Sequence, residues 1–159
     1  MTASESTVST LALLGDVLAA ELAAINQYFV HAEMCAHWGY ARLHDQIRAH
    51  AIDEMRHAEE LIERILFLDG TPEVSHTMPV RIGKTVPEQL EADLALERQA
   101  IERMNAAIAA ARAASDNGTR MLLDKLLAAE EHHADWIETQ IHLIEQVGLE
   151  RYLAQQIRS

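Results

Sequence analysis

Glu21 and Glu54 lie 33 positions apart, as do Glu97 and Glu130, and the second glutamate of each pair opens a Glu-x-x-His motif, Glu54–His57 and Glu130–His133. Read as helices, each of these carboxylates falls on a stripe of apolar side chains. A carboxylate withdrawn from water without a partner is expensive and rare. Four in one small core therefore imply positive charge held among them, and a pair of metal ions is the simplest source.

Glu-x-x-His spacing sets its two side chains about 60° apart around a helix and about 4.5 Å along it, so both can face one ion or two adjacent ions. Four glutamates and two histidines supply terminal carboxylates, bridging carboxylates and one imidazole per ion. The charges also balance, four carboxylates against two divalent cations. Without metal the carboxylates repel, and some must take up protons or admit water. Hard oxygen donors with imidazole favour iron or manganese, with zinc an acceptable substitute. A single Glu-x-x-His is a weak signal, since a solvated helix carries such pairs freely. The weight lies in four glutamates at one level of four apolar stripes, with two histidines in register.

Long helices must bring these residues together. Steps of three and four residues give four seams: Leu11, Leu14, Leu18, Glu21, Ile25, Tyr28; then Ile47, Ala51, Glu54, Ala58, Leu61, Ile65; then Leu90, Leu94, Glu97, Ile101, Met104; then Leu123, Leu126, Glu130, His133, Ile137. The spacing predicts helices over about 9–38, 41–68, 86–114 and 118–147, and a short one over 149–157. Gly39 marks a tight turn, Asp69-Gly70-Thr71-Pro72 a helix stop, Thr85-Val86-Pro87-Glu88 a capping box, and Ser115-Asp116-Asn117-Gly118 a break. Two hairpins joined by one long crossover predict an all-α, ferritin-like four-helix bundle with a short C-terminal fifth helix, one domain over residues 1–159. The equal offsets hint at a duplicated hairpin.

Composition agrees: aromatic residues make up 4% of the 159 residues and glycine and proline number 6 and 3, as befits long helices. A net charge of −12 argues against nucleic acid and against an acidic membrane surface. The single Cys35 rules out a disulfide framework, a zinc ribbon or a rubredoxin-like site, and without Cys-x-x-Cys-His any haem is not covalently attached. Met1–Thr10 lacks the pattern of a signal peptide, and no stretch reaches the roughly 18 apolar residues of a membrane span. The expected location is cytoplasmic.

Several stretches are more specific than spacing: Glu21-Leu-Ala-Ala-Ile-Asn-Gln-Tyr28-Phe, Ile52-Asp-Glu-Met-Arg-His57-Ala-Glu, Ile62-Glu-Arg-Ile-Leu-Phe-Leu-Asp-Gly70, Asp93-Leu-Ala-Leu-Glu97, Glu130-Glu-His-His-Ala-Asp-Trp136 and Gly148-Leu-Glu-Arg-Tyr-Leu-Ala-Gln-Gln-Ile157. Through them nearly the whole chain resembles the bacterioferritins, the haem-containing branch of the ferritins. The resemblance implies a ferroxidase centre, two iron ions per subunit, with Glu21, Glu54, His57, Glu97, Glu130 and His133 as ligands and Glu54 and Glu130 bridging. It implies a shell of 24 subunits, built of dimers, that oxidises ferrous iron with dioxygen or peroxide and stores a ferric mineral. Met55 corresponds to the family's haem ligand, with a haem b held between two subunits that each supply one methionine. Such a haem serves iron release, fed by a small ferredoxin. Tyr28 matches a tyrosine that bonds a ligand glutamate and can supply an electron, and Trp136 can do similar work. Asp53 is expected to face the cavity. Where some members carry a histidine for an inner iron site this chain has Ala49, with His50 adjacent, so an inner site of that kind is in doubt. His31, His37, His44, His50, His76, His132 and His142 are expected mostly at the surface or at interfaces, and Cys35 as a small packing residue.

Two other readings compete. A discrete di-metal oxidase or peroxidase of the rubrerythrin or manganese-catalase kind shares the bundle but lacks a shell; the missing cysteine module and the 149–157 tail speak against it. A haem-binding or purely structural assembly is disfavoured because an inert bundle is more stable with leucine at the six seam positions.

Overall fold

Residues that cannot continue a helix decide where this chain turns. The computed structural model describes residues 3–158, and side chains from residue 10 onward. It contains α1 (Ala3–His37), α2 (Ala41–Phe67), α3 (Val86–Ala113), α4 (Asn117–Val147) and α5 (Leu149–Ala154). α1 begins earlier than Ser9 because no glycine or proline lies between Ala3 and Ser9. Gly39, at φ 88°, makes the α1–α2 turn in a conformation that costs glycine little. After α2 the left-handed residue is Asp69 (φ 59°), and the Gly70 N–H donates to the Ile65 carbonyl at 2.9 Å. Gly70 itself is closely packed: a Cβ there would lie 2.6 Å from Leu11 Cδ2, so the Leu11 side chain would have to shift.

The start of α3 is a capping box displaced by one residue. Thr85 Oγ1 accepts from the Glu88 N–H at 3.3 Å, whereas the Glu88 carboxylate reaches back to the Lys84 N–H at 2.7 Å. At the opposite end Ser115 (φ 58°) separates α3 from α4. Asp116 caps α4, accepting from the Thr119 N–H at 3.0 Å and from Arg64 Nη2 of α2 at 2.7 Å. α5 stops at Ala154 rather than Ile157, because the Gln155 and Gln156 N–H groups turn to the Tyr152 and Leu153 carbonyls, three residues back, and tighten the last turn.

α1 packs against α2 and α3 against α4, and the hairpins meet through α1–α3 and α2–α4. Two apolar clusters fill the interior. One holds Leu14, Leu18, Leu61, Ile65, Met104, Leu123 and Leu126; the other holds Tyr28, Leu43, Ile47, Leu90, Leu94 and Ile137. On every long helix the predicted glutamate lies between the contributions to these two clusters. The Thr10–His37 part of α1 is, contrary to the sequence expectation, long and apolar enough on average to span a membrane, but half of its most apolar stretch is buried against the other helices. Its apolar residues serve the seam.

The crossover, residues 68–85, is latched to the bundle by buried polar side chains. His31 Nδ1 lies 2.8 Å from Asp93 Oδ1 on α3, and His31 Nε2 accepts the Gly83 N–H at 3.0 Å. Gln27 donates to Asp93 at 2.8 Å and accepts the Arg81 N–H at 2.9 Å. Two backbone donors of an irregular segment thus find partners inside. His31 is fully buried inside the subunit, not at the surface or an interface as the sequence suggested. Gly83 has no room for a side chain, since a Cβ would lie 2.3 Å from Gln89 N. Gly83→Ala is therefore expected to lower the thermal midpoint, at a cost of about 1–3 kcal/mol as for other overpacked sites. Gly15→Ala, where the added Cβ meets nothing within 4 Å, should not lower it in the same thermal scan.

Candidate metal centre

The level between the two apolar clusters is polar on all four helices. Glu21 comes from α1, Glu54 and His57 from α2, Glu97 from α3, Glu130 and His133 from α4, and all six are buried, none more than 7% exposed. Their donor atoms form two groups, each gathered within 4.8 Å: Glu21, Glu54, His57 and Glu130, and Glu54, Glu97, Glu130 and His133. Glu54 and Glu130 belong to both.

Within the first group His57 Nδ1 lies 3.3 Å from Glu21 Oε2, 3.1 Å from Glu54 Oε2 and 3.0 Å from Glu130 Oε1. Within the second, His133 Nδ1 lies 2.8 Å from Glu54 Oε1 and 3.7 Å from Glu97 Oε1. Several of these approaches are close without being aligned as hydrogen bonds: Glu54 Oε1, Glu97 Oε2, Glu130 Oε1 and His133 Nδ1 are buried and have no hydrogen-bond partner. Buried polar atoms are nearly always paired. Lone pairs that converge while remaining unpaired suit a cation between them, and oxygen and imidazole donors suit iron.

Protonation follows from the crowding. Burial first, then the Glu54 charge, pushes the Glu21 carboxyl well above its usual range, and burial with the Glu21 and Glu54 charges does the same to Glu130. Glu54 is also pushed up by burial, but its contacts with Glu21, His133 and His57 outweigh this and hold it well below the usual range. Burial lowers His133, but the Glu54 and Glu97 carboxylates beside it favour its charged form and raise it to about 10. Without a cation the layer thus keeps protons as its counter-charge.

Around this layer the Tyr28 hydroxyl donates to Glu97 Oε1, and the Tyr28 ring is buried. Trp136 is half-buried and meets His50 edge to face at 5.0 Å. Asp53, partly exposed, has Oδ2 3.5 Å from His133 Nε2 and Oδ1 3.2 Å from Arg56 Nη1. Met55 points away from the layer and is 52% exposed. His50 corrects the sequence reading: expected at the surface or at an interface, it is buried inside the bundle and stacks on His133, centroids 4.2 Å apart. Its place one turn before Glu54 on the buried stripe was the available signal. Asp93, one turn before Glu97, was likewise legible but unassigned. Glu73–His76 repeats the Glu-x-x-His spacing in the exposed crossover, away from both donor groups, which illustrates how little that motif means alone. His37, His76, His132 and His142 are exposed, and His44 is half-buried with Nδ1 3.0 Å from the Ala32 carbonyl oxygen.

Residues 11–147 match the Ferritin-like domain family. The chain is 46% identical over 145 residues to a bacterioferritin of Mycolicibacterium paratuberculosis, covering 91% of each chain. It is 46% identical to a bacterial ferritin of Synechocystis, covering 94% of this chain and 96% of the relative. A bacterioferritin of Streptomyces coelicolor is 45% identical over 89% of this chain and 84% of its own length.

A cation must displace the protons on Glu21, Glu130 and His133, so binding should release protons and tighten as pH rises. The sign for the metal-free fold is opposite. Carboxyls raised from 4.5 and an imidazole raised from 6.5 to about 10 contribute stability that is full below those ordinary values and lost as pH rises through the raised ones. Cobalt(II) should therefore raise the thermal midpoint more at about pH 7.5 than at about pH 5.5. Calorimetric titration in two buffers of different ionisation enthalpy reads the released protons directly, and a buffer-independent heat would contradict this account.

Proposed function

Since the chain belongs to the bacterioferritins, a branch of the ferritin-like family, we propose that it is an iron-storage ferroxidase that reacts ferrous iron in its carboxylate layer. The observation that carries this reading is the overlap of the two donor groups, which share Glu54 and Glu130 and differ in their remaining members. In this reading Glu54 and Glu130 bridge two ions, Glu21 and His57 complete one, and Glu97 and His133 complete the other. Ferrous iron is the substrate: each ion gives up one electron, and dioxygen or peroxide accepts them.

The residues' part is positioning and charge. Four carboxylates match two ferrous ions in charge, and after oxidation the two ferric ions carry two charges more than the ligands, an excess that acidifies bound water and favours hydrolysis toward a ferric oxide-hydroxide. The apolar clusters on either side keep bulk water from the ligands. Tyr28 fixes Glu97 through its hydroxyl and is within reach to supply an electron, with Trp136 behind His50 as a second aromatic neighbour. The 159 residues act as one domain, since all four long helices contribute to one layer.

The assembly is a cytoplasmic shell of 24 subunits built of dimers, with the mineral inside. The exposed thioether of Met55, which its own subunit does not bury, fits a haem b shared by two subunits at a two-fold axis. Met55 would hold that haem, and the group would supply electron transfer for mineral reduction and iron release, with a small ferredoxin as the proposed donor.

Glu54→Ala removes a donor common to both groups and should abolish the fast phase of ferrous oxidation, while sizing chromatography still finds a particle of about 430 kDa, the mass of 24 such chains. An unchanged initial rate overturns the site, and a dimer-sized wild-type particle overturns the shell. Met55→Leu should remove the haem absorbance of protein expressed with ample iron and leave the oxidation rate within about two-fold, since a residue that does not touch the layer should cost little there.

A further inference from the structure

A shift of 76 residues carries Glu21 onto Glu97, Glu54 onto Glu130 and His57 onto His133; the same shift carries His50 onto Leu126. The two halves of the layer are matched in their donors and unmatched in what stands behind them. At His50 the chain keeps a buried ring whose Nδ1 has no hydrogen-bond partner. An unpaired buried nitrogen is costly where an alkyl group is not, and the chain carries that cost in one half only.

His50 is itself firmly held. The Gln46 amide lies 3.1 Å from its Nε2, and the edges of Trp136 and Tyr28 meet its ring at 5.0 and 5.7 Å, interplanar angles 87° and 73°. Against His133 its geometry is different: the rings are 24° from parallel, with centroids 4.2 Å apart. A histidine ring turns about a soft terminal torsion with no sharp staggered minimum, so the rotamer alone does not fix the direction of a ligand nitrogen. A flat, immobile neighbour on the ring face fixes the plane of the ring. Asp53, 3.5 Å from Nε2, selects between the two orientations that plane allows.

We propose that His50 is a positioning residue for His133: its ring, stacked on the His133 face, holds the ring plane in which Nδ1 faces the layer and makes that half bind its ion more tightly. This rests on the two-ion reading above. Partners that orient a metal-bound histidine typically account for 10–100-fold in affinity, although most act by hydrogen bonds rather than by stacking.

Cobalt(II) titration of the metal-free assembled protein, followed by its d–d absorption, tests the proposal apart from oxidation. The wild-type chain should bind two ions per subunit with distinct affinities. His50→Leu, which installs the residue the repeat places in the other half, and His50→Ala should each weaken one ion by about ten-fold and alter its band, leaving the second ion unchanged. His50→Phe keeps a flat ring and should restore the affinity to within about two-fold of wild type. Unchanged isotherms and spectra in His50→Ala, equal weakening of both ions, or a His50→Phe chain as weak as His50→Ala each overturn the positioning role. A wild-type chain that binds fewer than two ions overturns instead the two-ion reading beneath it.

Discussion

Four carboxylates and two imidazoles occupy a layer that water barely reaches, and the electrostatic cost of that burial orders everything around it. Such a layer is less stable than leucine would be at the same positions. It divides the interior into two apolar clusters, and each draws residues from all four long helices. The layer in turn meets its own cost by retaining protons on Glu21, Glu130 and His133. A cation replaces those protons, so the same feature that weakens the metal-free fold provides the affinity for metal.

Satisfying buried polar groups extends beyond the layer. Tyr28 ties α1 to α3 through Glu97, and one turn along, Gln27 and His31 tie the same helices through Asp93. The outward-facing atoms of Gln27 and His31 receive the backbone of the crossover. An irregular connection is therefore fastened to the helices that carry Glu21 and Glu97, so the crossover and the layer share one polar framework. Arg64 does comparable work at the far end, joining α2 to the cap of α4 through Asp116 and Thr119.

Helix period, capping chemistry and the exclusion of bare charge from apolar interiors are local rules, and they made the five helices, the long crossover and the six donor positions legible in the sequence. Glu54 stands out because Ala51, Ala58 and Leu61 surround it on the same stripe. The rules give less for residues whose burial depends on a neighbouring helix. For His31 and His50 the sequence points no further than the surface or an interface, because a histidine on a helix face looks alike whether it meets water or another helix. Asp93 and Asp53 gave no sign of which histidine each approaches.

The chain by itself determined that four long helices carry carboxylates at one height, because side-chain period follows from backbone geometry alone. Only the packing of α1 with α3 and of α2 with α4 decided that Glu54 and Glu130 are common to two donor groups. The same packing laid His50 on His133 and turned Met55 outward. Those relations depend on distances between helices, to which residues far apart in sequence contribute, and no local pattern encodes them.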